Sequence, residues 1–307
     1  MKAAAKKVRA RQDAADEIAG IRLTHPDRVL YPDQGITKRR LAEYYVAVAD
    51  RILPHVADRP LSIVRCPEGA EGACFYQKHL SAGMPDAVRT VPIKEANGTS
   101  DYVTIGDASG LVALVQFGVL EIHPWNAKNA KVDACDRLVF DLDPAPEMAW
   151  ADVVAATRAV KERLDAVGLA SFLKTTGGKG MHVVVPLAPA VAWDVAKTFA
   201  KTLAEAMAAD APDRYIAKMA KAARTGKVFI DYFRNQHGAT AVAAYSTRAR
   251  PGAPVSTPLE WSELSARVKS DRFHIADIAK RPKTVWKRYF DVEQTIDVGV
   301  AKKLSAR

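Results

Sequence analysis

Arg137-Leu138-Val139-Phe140-Asp141-Leu142-Asp143-Pro144 is the stretch on which the reading of this chain turns. Leu138, Val139 and Phe140 form a short apolar run of strand-forming residues, and Pro144 closes it. Side chains alternate along a strand, so Asp141 and Asp143 leave the same face about 7 Å apart while Leu142 enters a core. Two carboxylates on one face repel each other unless a cation lies between them. A hard divalent ion, Mg²⁺ or Mn²⁺, takes oxygen ligands and commonly bridges to substrate phosphates. Asp-x-Asp alone is also compatible with a solvated strand end, so the rest of the chain has to decide.

Downstream, the spacing predicts an amphipathic helix from Trp150 to Val167, with Val154, Val160 and Leu164 inward and Gly168 as its stop. Extended structure resumes at Phe172 to Lys174. Thr175-Thr176-Gly177-Gly178-Lys179-Gly180-Met181-His182 then leads into a strand, Val183 to Leu187. A glycine-rich turn between strands lets backbone amides approach a phosphate, with Lys179 and His182 adding charge or hydrogen bonds. It does not have the spacing of a Walker A loop, and Gly-Gly is also an ordinary turn. Helices are expected over Val191 to Ala208 and Asp213 to Thr225. Lys227 to Tyr232 reads as a strand carrying a third acid, Asp231, and Thr240 to Ser246 as another strand, before Arg248. From about Pro258 the chain reads as a helical and looped cover.

Upstream, residues 1 to 20 form a basic leader with Lys2, Lys6, Lys7, Arg9 and Arg11. Thr37 is a suitable N-cap for a helix running to about His55, with Leu41, Tyr44, Tyr45, Val48 and Ile52 inward. Arg28, Lys38, Arg39 and Arg40 crowd its start, which makes either a phosphate site or a solvated basic turn. Pro60 to Pro67 reads as a strand. Phe75-Tyr76-Gln77-Lys78-His79 pairs aromatics with polar groups and suits base stacking, or a core. Val88 to Lys94 and Asp101 to Ile105 flank Asn97-Gly98 as a hairpin. Gly110 to Leu120 is apolar enough for a buried helix.

The chain has 307 residues, 49% hydrophobic and 26% charged, the composition of a globular protein with a sizeable core. No apolar run approaches the roughly 18 residues that span a bilayer, and no signal peptide is visible. Lys and Arg number 45 against 35 acids, a net charge of +10 that suits a polyanionic partner or simple solubility. Cys66, Cys74 and Cys135 make no C-x-x-C pair and no even set, so they read as reduced thiols of a cytosolic protein, without zinc or disulfides.

Asp141-x-Asp143, the glycine turn at 175–182 and Asp231 together resemble the archaeo-eukaryotic primase superfamily. More narrowly, the chain is similar to the polymerase domain of bacterial ligase D, an enzyme of non-homologous end joining. The similarity runs from Leu23 to about Trp261. It includes Arg28-Val29-Leu30-Tyr31-Pro32, Gly35-x-Thr37-Lys38, Phe75-Tyr76-x-Lys78, Glu121-x-His123, Val139 to Pro144, Gly226-Lys227-Val228-Phe229-x-Asp231 and Ala244-Tyr245-Ser246-x-Arg248. Each piece is only moderately specific; their order carries the resemblance.

The resemblance implies an α/β (α+β) fold. A primase-like catalytic core (about 136–260) with an RNA-recognition-like mixed β-sheet is packed on a smaller N-terminal α/β part (about 21–135), with a C-terminal cover over about 261–307. It implies template-directed nucleotide addition with two divalent metal ions, Mn²⁺ or Mg²⁺, and a preference for ribonucleotides over dNTPs. Asp141, Asp143 and Asp231 fall on the metal ligands. Thr176, Lys179, His182 and Arg248 fall on triphosphate and sugar contacts, Phe75 on the base-stacking aromatic, and Arg28 and Lys38 on the residues that hold the 5′-phosphate of a recessed DNA end. Arg28 replaces a frequent Lys, and Thr176 a frequent Ser. Expected partners are gapped or overhanging DNA ends, NTPs, the end-binding Ku protein and a ligase domain in the same or another chain. No membrane is expected, and the setting is the bacterial cytoplasm at the nucleoid. No Lys-x-Asp-Gly ligase motif is present. A primase that starts chains de novo and a non-catalytic end-binding module are the competing readings. The missing zinc cysteines speak against the first, and the three acids against the second.

Overall fold

The computed structural model describes residues 16–95 and 97–305. The basic leader falls mostly outside that range, including Lys2, Lys6, Lys7, Arg9 and Arg11. Its last residues are paired: Glu17–Ile18 (β1) turns back on Ile21–Arg22 (β2). Val29–Tyr31 (β3) pairs with Ile36–Thr37 (β4), and the Thr37 hydroxyl accepts from the Arg40 amide at 3.2 Å, capping helix Lys38–Ala47 (α1). Where one helix to His55 was expected, the chain kinks at Val48 (φ −109°, ψ 10°) and continues as Ala49–Val56 (α2). Leu41, Tyr44, Tyr45, Val48 and Ile52 are all buried, so the kink leaves the apolar stripe on one face.

Leu61–Arg65 (β5) and Phe75–Gln77 (β6) are followed by the hairpin Arg89–Glu95 (β7) and Gly98–Thr104 (β8). Helix Ala108–Gln116 (α3) starts at Asp107, whose carboxylate accepts from the Gly110 amide at 3.0 Å. The apolar run expected to be one helix to Leu120 therefore divides. Gly118, at φ 84°, turns the chain into Val119–Pro124 (β9), which pairs with β5. A fully buried helix and a fully buried strand carry the same unbroken apolar pattern, so periodicity does not separate them.

The larger sheet follows, from Ala134–Pro144 (β10), Trp150–Ala166 (α4), Phe172–Thr175 (β11), Met181–Ala192 (β12), Trp193–Asp210 (α5), Tyr215–Ile216 (β13), Val228–Asp231 (β14) and Pro258–Leu259 (β15). Its order is β13-β14-β10-β12-β11-β15, antiparallel except for β13 beside β14. The succession β10-α4-β11-β12-α5-β14 is a βαββαβ unit ordered 4-1-3-2, the RNA-recognition-like topology. Along β10, Leu138, Phe140 and Leu142 join the core under α4 and α5, with Val153, Val160, Phe199 and Leu203. Val139 faces the opposite core, shared with the N-terminal part. The alternation thus leaves Asp141 and Asp143 on the face that looks away from the helices.

Three further expectations are corrected. Residues 213–225 are not a helix: Tyr215 and Ile216 pair beside β14, and the lysine-rich remainder is loop with one short turn at Lys221–Ala223. Its alanines and lysines favour helix, but strand pairing of the two buried apolar residues prevails. Residues 240–246 lie outside the sheet, and 241–246 are buried. The Ala243 amide donates to the Ile122 carbonyl at 2.9 Å, so the segment bridges the two parts. Cys66 and Cys74 form a disulfide, where reduced thiols were expected. They flank the cross-strand pair Arg65 and Phe75, and the Gly69 turn brings their Cα atoms to 4.3 Å. Cys135 remains a thiol, pushed up to about 12 by burial.

Ile275–Ile278 (α6) and Val298–Ser305 (α7) belong to the C-terminal cover, where α7 packs on α5 and the Trp286 indole donates to the Leu173 carbonyl at 2.9 Å. Among the described residues no helix is long and apolar enough to cross a membrane.

Candidate active site

Register across four strands builds the site. Asp231 on β14 lies opposite Asp141 on β10, Asp141 opposite His182 on β12, and His182 opposite Lys174 on β11. Directly opposed residues share a face, so the four form one row with two acids at one end and a lysine at the other. Asp143 stands two residues farther along β10. Asp141 and His182 of this row, with Asp143, line a cleft of about 280 Å³ whose walls also carry Lys179, Arg234, Arg248 and Arg250.

The acids are unequal. Burial pushes Asp141 upward, but His182 and Arg234 outweigh it and hold the carboxyl well below the usual range. Asp143 and Asp231 are both raised, first by burial and then by the charge of Asp141, against the pull of Arg224 and Arg234. Raised neighbours around one strongly ionised acid are the signature of carboxylates short of positive charge, a condition that a divalent cation relieves. The all-oxygen donor set fits such an ion. As the side chains stand, however, no three acids, histidines or cysteines among the described residues converge to hold one. Arginines pair with them instead: Arg234 Nη2 lies 3.1 Å from Asp141 and 3.2 Å from Asp231, and Arg224 Nη1 3.3 Å from Asp143.

Burial and the charge of Lys174 push His182 down to about 4. Its ring is therefore neutral near pH 7, with Nε2 3.3 Å from Asp141 Oδ1. Lys174 is itself buried and donates to the Ser256 hydroxyl at 2.7 Å; desolvation holds its amine well below the ordinary lysine range.

The glycine turn differs from the expected amide cradle. Thr176 and Gly177 amides donate to Ser270, and the Gly178 amide to the Thr176 hydroxyl. That hydroxyl also meets the Gly180 carbonyl at 3.0 Å and Ser270 Oγ at 2.8 Å, so Thr176 shapes the turn. A Cβ on Gly180 would collide with the carbonyl oxygen of Leu142, between the two acids of β10. Arg248 is held by two bonds: Nε donates to Glu121 at 2.8 Å and Nη1 to the Thr176 carbonyl at 2.7 Å. Glu121 also accepts from His123 at 2.8 Å and from the Ala249 amide at 2.9 Å.

Asp141, Asp143, Thr176, Lys179, His182 and Arg248 thus come together in one cleft, with Asp231 beneath its floor. Phe75 does not join them; it sits beside Arg65, and its neighbour Tyr76 lines the cleft with an edge-on contact to His123. Arg28 and Lys38 lie elsewhere, next to each other. The Lys38 amide donates to the Arg28 carbonyl at 2.9 Å, Lys38 Nζ to the Thr24 carbonyl at 2.7 Å, and Arg28 pairs with Glu68 at 2.7 Å. Lys174, Arg234 and the role of Glu121 escaped the sequence reading. Glu121-x-His123 was visible as a motif, but no local signal marks Arg234, which follows β14 in a turn.

An acid-floored, base-rimmed cleft on a βαββαβ sheet defines a class of protein that handles a polyanion together with a divalent cation. The chain belongs to the family described as LigD, primase-polymerase domain, whose model matches residues 37–288. It is 38% identical to the multifunctional non-homologous end joining protein LigD of Pseudomonas aeruginosa over 93% of this chain and 35% of that one. To the Mycolicibacterium smegmatis protein of the same description it is 33% identical, over 80% of this chain and 32% of that one. It therefore spans about a third of the length of these relatives. The solved polymerase domain from Mycobacterium tuberculosis ligase D in complex with DNA superposes with a TM-score of 0.79 at 30% identity, covering 91% of this chain and 96% of that one.

Proposed function

We propose that this domain is a template-directed nucleotidyltransferase that fills gaps and extends ends at DNA breaks during non-homologous end joining, with a preference for ribonucleotides. The observation that carries this reading is the cross-strand pair Asp141–Asp231 with Asp143 beside it, under a cationic rim. Asp141, Asp143 and Asp231 would hold two Mg²⁺ or Mn²⁺ ions, which when bound polarise a primer 3′-oxygen and neutralise the pyrophosphate leaving group. Lys179, Arg248 and Arg250 offset charge on the β and γ phosphates. Neutral His182 offers hydrogen bonding without adding a charge beside the acids. Tyr76 is the aromatic side chain that lines the cleft and would stack on a base. Lys38 and Arg28 take the 5′-phosphate on the far side of a gap. DNA ends with 5′-phosphates, NTPs, Ku and a ligase domain in the same or another chain are the partners this assigns.

The test is extension of a gapped duplex carrying a 5′-phosphate, comparing NTPs with dNTPs in each metal. Asp141→Asn, Asp143→Asn and Asp231→Asn are each expected to lose at least about a hundredfold in rate while end binding persists. Near-normal extension by any of them would remove that residue from the reaction.

A further inference from the structure

Arg234 occupies the ground between two of the acids, and it is placed there by design of the fold. Its Nε and Nη2 reach Asp141 Oδ2 at 3.2 and 3.1 Å, and Nη2 also reaches Asp231 Oδ2 at 3.2 Å. The turn that carries it, Phe233–Asn235, is clamped to β10 by the next residue. The fully buried Asn235 side chain accepts from the Val139 amide at 2.7 Å and donates to the Val139 carbonyl at 2.8 Å, two residues before Asp141. The Asp231 carboxylate closes the same turn by accepting from the Phe233 amide at 2.8 Å. The guanidinium also donates from Nη1 to the Thr240 carbonyl at 3.5 Å, the longest of its bonds. Its side chain is 41% exposed and lines the cleft.

We infer that Arg234 is a resident counter-ion of the carboxylate seat, which a divalent cation must displace and which then moves onto the phosphates of the incoming nucleotide. The inference rests on the proposed metal-dependent reading of the site. A guanidinium and a divalent cation repel each other and cannot share two carboxylate oxygens at 3 Å. Cation binding without nucleotide is therefore weakened by the fraction of time that Arg234 holds the seat. Once displaced, the planar fork remains at the cleft wall beside Lys179 and Arg248, where phosphate oxygens satisfy it in two places. The nucleotide thereby gives Arg234 a second partner, and metal and nucleotide assist each other's binding.

The experiment measures Mn²⁺ binding to the full chain by calorimetry and by the EPR signal of free Mn²⁺, without DNA, for wild type and Arg234→Gln. Without nucleotide, Arg234→Gln is expected to bind Mn²⁺ roughly tenfold tighter. With a non-hydrolysable NTP present, wild type should tighten more than the variant, so that the gap closes. Melting in EDTA confirms that both proteins are folded, and the Mn²⁺-induced rise in Tm should be larger for the variant. Arg234→Lys, with one charge and no fork, should fall between them. Equal Mn²⁺ affinity in the two folded proteins, or a gap unchanged by nucleotide, overturns the exchange and leaves the metal reading standing. Failure of both folded proteins to bind Mn²⁺ overturns the metal reading and the exchange with it.

Discussion

Glu121→Gln separates the anchor of the cationic rim from the rim itself. Glu121 is buried on β9 and gathers three donors: His123 Nε2, Arg248 Nε and the Ala249 amide. Burial pushes its carboxyl upward, but these partners win and bring it from 4.5 to about 2. That fall is equivalent to roughly 3 kcal/mol of native-state preference for the ionised form. Burial lowers the His123 imidazole against the pull of Glu121. Losing the anion that Arg248 and the Ala249 amide bond to is expected to cost about 2 kcal/mol. Glutamine keeps the shape and one acceptor, loses the charge, and leaves the half-buried Arg248 guanidinium without its anion. The folded pKa lies below the unfolded one, so the stabilisation is fully present above about pH 4.5 and disappears as the pH falls toward 2. Urea unfolding should show a deficit of about 2 kcal/mol for the variant at pH 7, narrowing through that window. Nucleotide KM should rise about tenfold, the equivalent of 1.4 kcal/mol, because Arg248 no longer waits in place. A deficit that stays constant from pH 7 to pH 3 would refute the charge argument, and an unchanged KM would refute the positioning one.

Gly180→Ala should lose about 1–3 kcal/mol of stability through overpacking and at least about a hundredfold in extension rate, because displacing Leu142 moves Asp141 and Asp143 together. Denaturant midpoints and single-nucleotide extension check it, and a variant normal in both would show that the turn has room. Lys38→Ala should bind phosphorylated and unphosphorylated gaps with similar affinity, where wild type favours the phosphate about tenfold or more, a ratio that salt diminishes. Fluorescence anisotropy with the two duplexes measures it. Discrimination equal to wild type would make the Lys38 cluster purely structural, as its bonds to Thr24 and Gln116 also allow.

Features that depend on neighbours along the chain are legible in the sequence alone. Period two in residues 138–143 assigned Leu142 to a core and both acids to the other face, because the pleat admits no alternative once Leu138 and Phe140 are buried. Thr37 marked its cap, Asn97-Gly98 its hairpin, and the ordered motifs from Arg28 to Arg248 their family. Local pattern failed where tertiary pairing overrode it: at the apolar run broken by Gly118, at residues 213–225, and at Cys66 and Cys74, brought together by a cross-strand register. The row Asp231–Asp141–His182–Lys174 likewise belongs to no segment. Its members come from four strands, and only the packing of α4 and α5 against the sheet decides how those strands slide past one another. A slip of one residue would turn each acid into the core, so the register that assembles the site is enforced by burial of the opposite face. Arg234 between two of the acids follows from that same register, and Tyr76 at the cleft from the pairing of β6 with β5 in the other sheet; nothing in the local sequence marks either.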